Sequence, residues 1–249
     1  MVSESIVMPQ PLHHEGWHVH SKLSESQTRE LVSAILNGTI EREKVFRDNR
    51  RTLSARVRFG DAKFLLKVSR ARNARGWERL LTWFRGSDAR RSFQQLGIIK
   101  QLGFMAPEPV LVGEQIRWGV VVDSFLVYRY VDGQPAEGDD ARRVLETLLS
   151  LHKKGYLRND PQLANFLISQ DHVTFIDFRL KKVMFLRRLW KSRELVQFEK
   201  SCPAAEVMIP ARIRSSIWYR IASWIEGVSS AAKISKRNFR KKKRGVGKK

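Results

Sequence analysis

Apolar and polar positions change period several times along the chain, and each change marks an element. From Ser24 to Asn37 the spacing is helical: Leu31, Ile35 and Leu36 share a face, Ser24 stands as N-cap with Glu25 and Glu30 early, and Gly38 ends the run. The period then falls to two. Leu53, Ala55, Val57 and Phe59 alternate with Ser54, Arg56 and Arg58, Gly60-Asp61 supplies a turn, and Lys63 to Val68 forms a second run, which predicts a β-hairpin. Helical spacing returns over Ala89 to Leu102, with Phe93, Leu96, Ile99 (or Ile98) and Leu102 on one side and Gly103 as the stop. Val110 to Val112 and Phe125 to Val131 are apolar runs of strand length, the first preceded by Pro107 and Pro109, the second closed by Asp132-Gly133. The first half is therefore expected to be mainly antiparallel sheet with a helix packed on it.

The second half reads as mostly helical. Asp139-Asp140 can cap a helix whose Val144, Leu148 and Leu151 share a face and which ends at Gly155. A short strand pair, Asn165 to Ile168 and Val173 to Ile176, is predicted across Ser169-Gln170-Asp171. Ile213, Ile217, Ile221, Trp224 and Val228 form one stripe of a late helix. That stripe is read as packing on the core, although Arg212, Arg214 and Arg220 on the same helix would also suit a membrane interface.

Composition adds a core and a charge. With 42% hydrophobic residues in 249, the chain can bury a core and is not wholly disordered. Lys and Arg number 47 against 25 Asp and Glu, a net +22 that favours a polyanionic partner without choosing among nucleic acid, anionic membrane and phosphorylated substrate. Nine basic residues and no acid lie between Lys236 and Lys249, and seven more without a carboxylate between Arg179 and Arg193. The Lys236 to Lys249 tail is expected to be disordered, since nothing in it offsets the entropy of ordering, and to be drawn to polyanions. The lone Cys202 excludes an intrachain disulfide and fits a reducing compartment. The first ten residues show no signal peptide, and the best apolar run, Trp118 to Val131, is broken by Asp123 and Arg129 before it can span a bilayer. A cytoplasmic protein, soluble or attached to the inner membrane surface, is expected.

Four of the six histidines, His13, His14, His18 and His20, crowd around Trp17. His18 and His20 share one face of a strand and could hold a metal, but no cysteine or further histidine supports them, so the segment is read as an exposed polar edge strand. Trp77, Trp83, Trp118 and Trp190 sit among arginines, where they fill the lobes or pack under guanidinium groups rather than mark a nucleic-acid motif.

The segment after the helix ending at Gly155 carries the chemistry. Asp160 is followed five positions later by Asn165, then by a strand, then by Phe175-Ile176-Asp177-Phe178. This order matches the catalytic loop and metal-binding strand of the protein-kinase-like fold. In that chemistry Asp160 accepts a hydrogen bond from the acceptor hydroxyl and aligns its oxygen with the γ-phosphorus. The Asn165 amide oxygen and Asp177 would hold Mg²⁺. Lys67, ending the run Phe64-Leu65-Leu66, stands where such kinases grip the α/β-phosphates of ATP.

The chain resembles the lipopolysaccharide core heptose kinases, kin to the Kdo kinases of the same pathway. The likeness runs from about Gly16 to Ser201 and is most specific in Leu151-His152-x-x-Gly155 and Asp160-Pro161-Gln162-x-x-Asn165-Phe166. It also covers Lys67 after Phe64-Leu65-Leu66, Val131-Asp132-Gly133, Gly86-Ser87-x-Ala89-Arg90-Arg91 and Gly103-x-x-x-Pro107. It implies an α+β, two-lobed protein-kinase-like fold with a β-rich N-lobe and a mostly helical C-lobe. The divisions would be an N-terminal extension of strand and helix (1–46), N-lobe (47–131), C-lobe (132–232) and basic tail (233–249). It implies ATP-dependent phosphorylation of a heptose hydroxyl in the inner core, with Mg²⁺, on the cytoplasmic side. Adenine would meet backbone groups of Tyr128, Tyr130 and Val131, with Arg129 turned away. The partners implied are the core oligosaccharide and an anionic membrane surface, with nucleic acid a lesser candidate and no obligate protein partner.

Several positions depart from the family pattern. Arg158 replaces the histidine usual two residues before the catalytic Asp, Arg179 replaces the Gly of the metal motif, and Asp48 to Thr52 stands where a glycine-rich loop would lie. Ala89 to Leu102 has no carboxylate to pair with Lys67, which leaves Gln95 or Glu78. A pseudokinase or binding module that kept the fold, and a nucleic-acid-associated kinase, are the competing readings.

Overall fold

The computed structural model describes residues 8–50, 52–70, 82–83, 86–169, 172–177 and 179–246, with side chains to 231. Two compact units emerge: Met1–Gly133 with Thr174–Ile176, and Gln134–Val173 with Asp177–Lys249.

The first unit is built on a seven-stranded antiparallel sheet. Its strands are β1 (Leu12–His14), β2 (Trp17–Ser21), β3 (Glu41–Asp48), β4 (Leu53–Phe59), β5 (Ala62–Val68), β6 (Pro109–Arg117) and β7 (Val120–Arg129), in the order β1-β2-β6-β7-β5-β4-β3. The β4–β5 hairpin forms as its alternation predicts, burying Leu53, Ala55, Val57, Phe64 and Leu66. Helix α1 (Glu25–Leu36) adds Leu31 and Val32 to that core. Ser24 and Gln27 close a capping box at its start, so two of the amides that a helix N-terminus leaves unpaired find side-chain acceptors. Helix α2 (Asp88–Gln101) starts at the Ser87 cap, and the buried Glu114 of β6 holds that start, accepting from the Ser87 amide at 3.0 Å and lying 3.6 Å from Arg90.

Two expectations in this unit change. Strand β3 escapes the pattern because nearly every side chain in it is exposed. It is a charged sheet edge with two bulges, tied to β4 by Arg56–Glu43 at 2.8 Å and by Arg58 with Glu43. The histidine hairpin is not an exposed edge throughout. Only β1 is outermost, β2 pairs with β6 on its other side, and His20 is buried with Nδ1 2.7 Å from the Pro9 carbonyl. Among the described residues no three His, Cys, Asp or Glu side chains form a metal-sized group. His13 and His18 instead meet edge to face at 4.1 Å.

The second unit contains β8 (Gln134–Pro135), α3 (Ala141–Lys153), β9 (Tyr156–Leu157), β10 (Phe166–Ser169), the start of β11 (His172–Phe175), β12 (Lys181–Lys182), α4 (Arg187–Ser201), α5 (Ala211–Arg214) and α6 (Ile217–Val246). Val144, Leu148 and Leu151 of α3 are fully buried, as their spacing predicts. Its cap differs: Asp140 receives the Glu137 amide and makes no side-chain cap to α3. Trp190 lies beneath Lys181 and Arg193, at 4.2 and 5.4 Å from ring centre to cation. In the first unit Trp118, at the β6–β7 turn, and Trp83 are exposed instead, and Trp77 lies outside the described residues.

The late helix departs most from expectation. Ser215 and Ser216 break it, so Ile213 belongs to α5, and Ser216 Oγ receives the Tyr219 amide at 3.2 Å as the start of α6. The stripe Ile217, Ile221, Trp224 and Val228 faces out, while Tyr219, Ala222 and Glu226 are buried. Helical periodicity establishes that an apolar face exists but not what covers it. The backbone also stays helical to Val246, through most of the segment where the composition predicts disorder. No helix of the described residues is long and apolar enough to cross a membrane.

Candidate active site

Helix α3 ends at Lys153, and Gly155, with φ of +86°, turns the chain out of it. Strand β9 then pairs with β12, Leu157 opposite Lys181 and Tyr156 opposite Lys182, so the segments leading to Asp160 and leaving Asp177 run side by side. Asn159 is left-handed at φ +71°, a conformation Asn tolerates, and the chain passes through Asp160-Pro161 into a short 3₁₀ turn, Leu163–Asn165, and then β10.

Two of the predicted site residues touch. Asn165 Nδ2 donates to the Asp160 carbonyl and to Asp160 Oδ2, both at 3.3 Å. Asp177 is linked through Arg158, whose Nη2 donates to the carbonyls of Asn165 at 3.2 Å and Asp177 at 3.5 Å. Arg158 is fully buried, its guanidinium 4.8 Å from the centre of the Phe166 ring. Burial pushes its pKa down to about 10 against the opposing pull of Asp160, Glu194 and Asp177, so it stays a cation at neutral pH. The residue that replaces the family histidine thus spans the backbone of both expected metal ligands.

Sequence reasoning missed Glu194, on α4. It is buried, its Oε2 lies 2.6 Å from His152 Nε2, and its Oε1 accepts from the Asn159 amide at 2.6 Å. The left-handed residue before Asp160 is therefore held by a carboxylate 35 positions away. The one available sign was an acid at the end of an acid-free basic run, beside the apolar Leu195, Val196 and Phe198.

In the first unit Lys67 lies on β5, opposite Ser54 of β4 and Leu126 of β7. Tyr128 of β7 stands opposite Leu65 of β5 and Pro109 of β6. The backbone of the expected adenine segment is partly engaged. The Tyr130 amide donates to the Lys63 carbonyl at 3.0 Å, and the Arg129 amide to that of Glu108 at 2.9 Å. The Tyr130 ring stacks on Phe46 and carries Arg56 over its face at 5.2 Å. Arg129 reaches Glu108 at 3.4 Å and the Phe64 ring. Helix α2 starts one residue earlier than expected and so gains a carboxylate, Asp88, which pairs with Arg91. Glu78, the other candidate partner of Lys67, and Arg51 and Phe178 lie outside the described residues.

The donor set fits a hard divalent cation. With its Nδ2 committed to Asp160, the Asn165 amide turns Oδ1 away from that residue, and Asp177 is exposed; both supply oxygen ligands of the type Mg²⁺ prefers.

An antiparallel sheet with α2 against it, followed by a helical unit whose first loop carries Asp160 and Asn165, defines a protein-kinase-like α+β fold. A solved structure of WaaP in complex with acyl carrier protein shares this fold, with TM-score 0.50, 16% identity, and 79% of this chain and 83% of that one covered. A kinase domain of PknI from Mycobacterium tuberculosis gives TM-score 0.41 at 18% identity over 76% and 84% of the two chains. An aminoglycoside phosphotransferase, APH(4)-Ia, gives 0.44 at 10% identity over 84% and 93%. The family model for lipopolysaccharide core biosynthesis protein (WaaY) matches residues 8–220, and the chain belongs to that family.

Proposed function

We propose that the protein transfers the γ-phosphate of ATP to a heptose hydroxyl of the lipopolysaccharide inner core. Membership of the core biosynthesis family supports the substrate class. The observation that carries the chemistry is the Asp160–Asn165 contact, with Arg158 joining the Asn165 and Asp177 backbone. Asp160 accepts the hydroxyl proton of the sugar and keeps its oxygen in line with the phosphorus. Asn165 and Asp177 would hold Mg²⁺, which when bound would offset charge on the phosphates. Lys67 pairs with the α/β-phosphates. In the adenine segment of Tyr128, Tyr130 and Val131, the Tyr130 amide is already used, so Val131 is the residue we assign as backbone donor. Glu194 and His152 are positioning residues that act through Asn159.

The chain works at the inner face of the cytoplasmic membrane, where its positive charge meets anionic lipid. The solved complex of WaaP with acyl carrier protein supports a carrier protein as partner here too, beside the expectation of no obligate protein partner. A second reading, a pseudokinase, is favoured by one observation: the residue two before Asp160, where the family pattern has histidine, is the fully buried Arg158. Mass analysis of core oligosaccharide incubated with Mg-ATP and the protein decides between them. One added phosphate on a heptose is expected, and unchanged sugar together with Mg-dependent ATP binding would favour the pseudokinase.

A further inference from the structure

The first half of α6 has two opposite faces. On one, Tyr219, Ala222 and Glu226 are buried against α4: the Tyr219 hydroxyl donates to Glu199, and Glu226 Oε1 accepts from Arg193 Nε at 2.6 Å and Gln197 Nε2 at 2.8 Å. On the other, Ile217, Ile221, Trp224 and Val228 repeat at helical spacing and are 58, 36, 70 and 52% exposed. Folding normally hides so continuous an apolar row, so its exposure marks an interaction surface.

Charge selects the occupant. Between Ala211 and Lys249 there are thirteen basic residues and one acid, Glu226, which is on the buried face and engaged by Arg193. Among the described residues, the outward side of this segment therefore offers apolar side chains with the exposed Arg212 and Arg220 beside them, and the one carboxylate that meets it, Glu206, is paired with Arg214 at 2.6 Å. A second copy of the chain would bring like charges together, and a nucleic acid would leave the apolar row in water. We infer that this face of α6 lies in the headgroup region of an anionic bilayer, with Ile217, Ile221, Trp224 and Val228 inserted and the basic residues on lipid phosphates. Trp224 suits that boundary, having an apolar ring with a polar edge. The inference rests on the reading that the acceptor is a membrane-bound core, and it turns the electrostatic attraction proposed above into a defined, inserting surface.

The test uses the full chain and vesicles of phosphatidylethanolamine and phosphatidylglycerol. The protein should cosediment with them, and Ile221→Asp/Trp224→Asp should lower partitioning by about tenfold or more for each side chain withdrawn from the interface. Both substitutions are on the exposed face, so thermal unfolding should match the parent. Brominated lipid should quench fluorescence in the wild type and much less in Trp224→Phe. Wild-type partitioning by the double variant, or quenching unchanged in Trp224→Phe, would overturn insertion in favour of charge alone. A dimer that the double variant dissociates, without vesicle binding, would assign the face to a second copy. The double variant should still phosphorylate a deacylated, water-soluble core oligosaccharide. Loss of transfer by every form with vesicle binding intact would support the lipid face while sinking the sugar-kinase reading.

Discussion

Arg158 is a buried cation surrounded by carboxylates, and its burial has a consequence for each of them. Its guanidinium holds the Asn165 and Asp177 carbonyls and lies in the field of Asp160, Asp177 and Glu194. Arg158→Met would leave those acids without their shared cation. We expect a loss of about 3 kcal/mol, measured by chemical denaturation, and weaker Mg-dependent nucleotide binding. Glu194→Gln keeps the shape but removes the charge that His152 and the Asn159 amide share. A loss of about 1–3 kcal/mol is expected, with kcat falling and KM for the sugar nearly unchanged, because the loop is displaced and not the acceptor contacts. At this scale the sequence was legible where spacing is local: Asp160 and Asn165 are five positions apart and touch. Glu194 was not legible, because its contact with Asn159 spans 35 positions and leaves no periodic trace.

Elements follow the same division between local and distant causes. The β4–β5 hairpin and α1 could be read because their turns and caps lie within a few residues of the apolar positions they organise. Strand β3 could not, since a charged edge has no buried face to set a period. Gly113 on β6 shows a constraint visible only in three dimensions: a Cβ there would come within 2.6 Å of the Phe125 ring across the pair. Gly113→Ala should therefore cost about 1–3 kcal/mol, seen as a lower Tm. The α4–α6 contact should depend on pH. Burial alone would raise the Glu226 carboxyl, but hydrogen bonds from Arg193 and Gln197 and the charges of Arg193 and Lys200 outweigh it and set it below the usual 4.5. Its stabilisation is then fully present above pH 4.5 and is lost as pH falls through the lower folded value. Across that acid window the Tm difference between wild type and Glu226→Gln should shrink; a constant difference would contradict the assignment.

For the molecule as a whole, the fold class was legible because its two halves carry different periods, two in the first and near four in the second. What the pattern could not supply was the direction of the α6 stripe, since amphipathic spacing is the same whether protein or lipid covers it. The net charge of +22 belongs to this scale too. Action on the soluble oligosaccharide should depend weakly on salt, whereas action on core lipopolysaccharide in anionic vesicles should fall steeply as ionic strength rises. Phosphoryl transfer directed by Asp160 is tested most directly by following labelled γ-phosphate from Mg-ATP to purified inner-core lipopolysaccharide. The wild-type protein should label a heptose, and Asp160→Asn, folded and still binding ATP, should lower that rate by about 10²–10⁴-fold. Equal labelling by the variant, or no label on any core acceptor from the folded wild type, would contradict it.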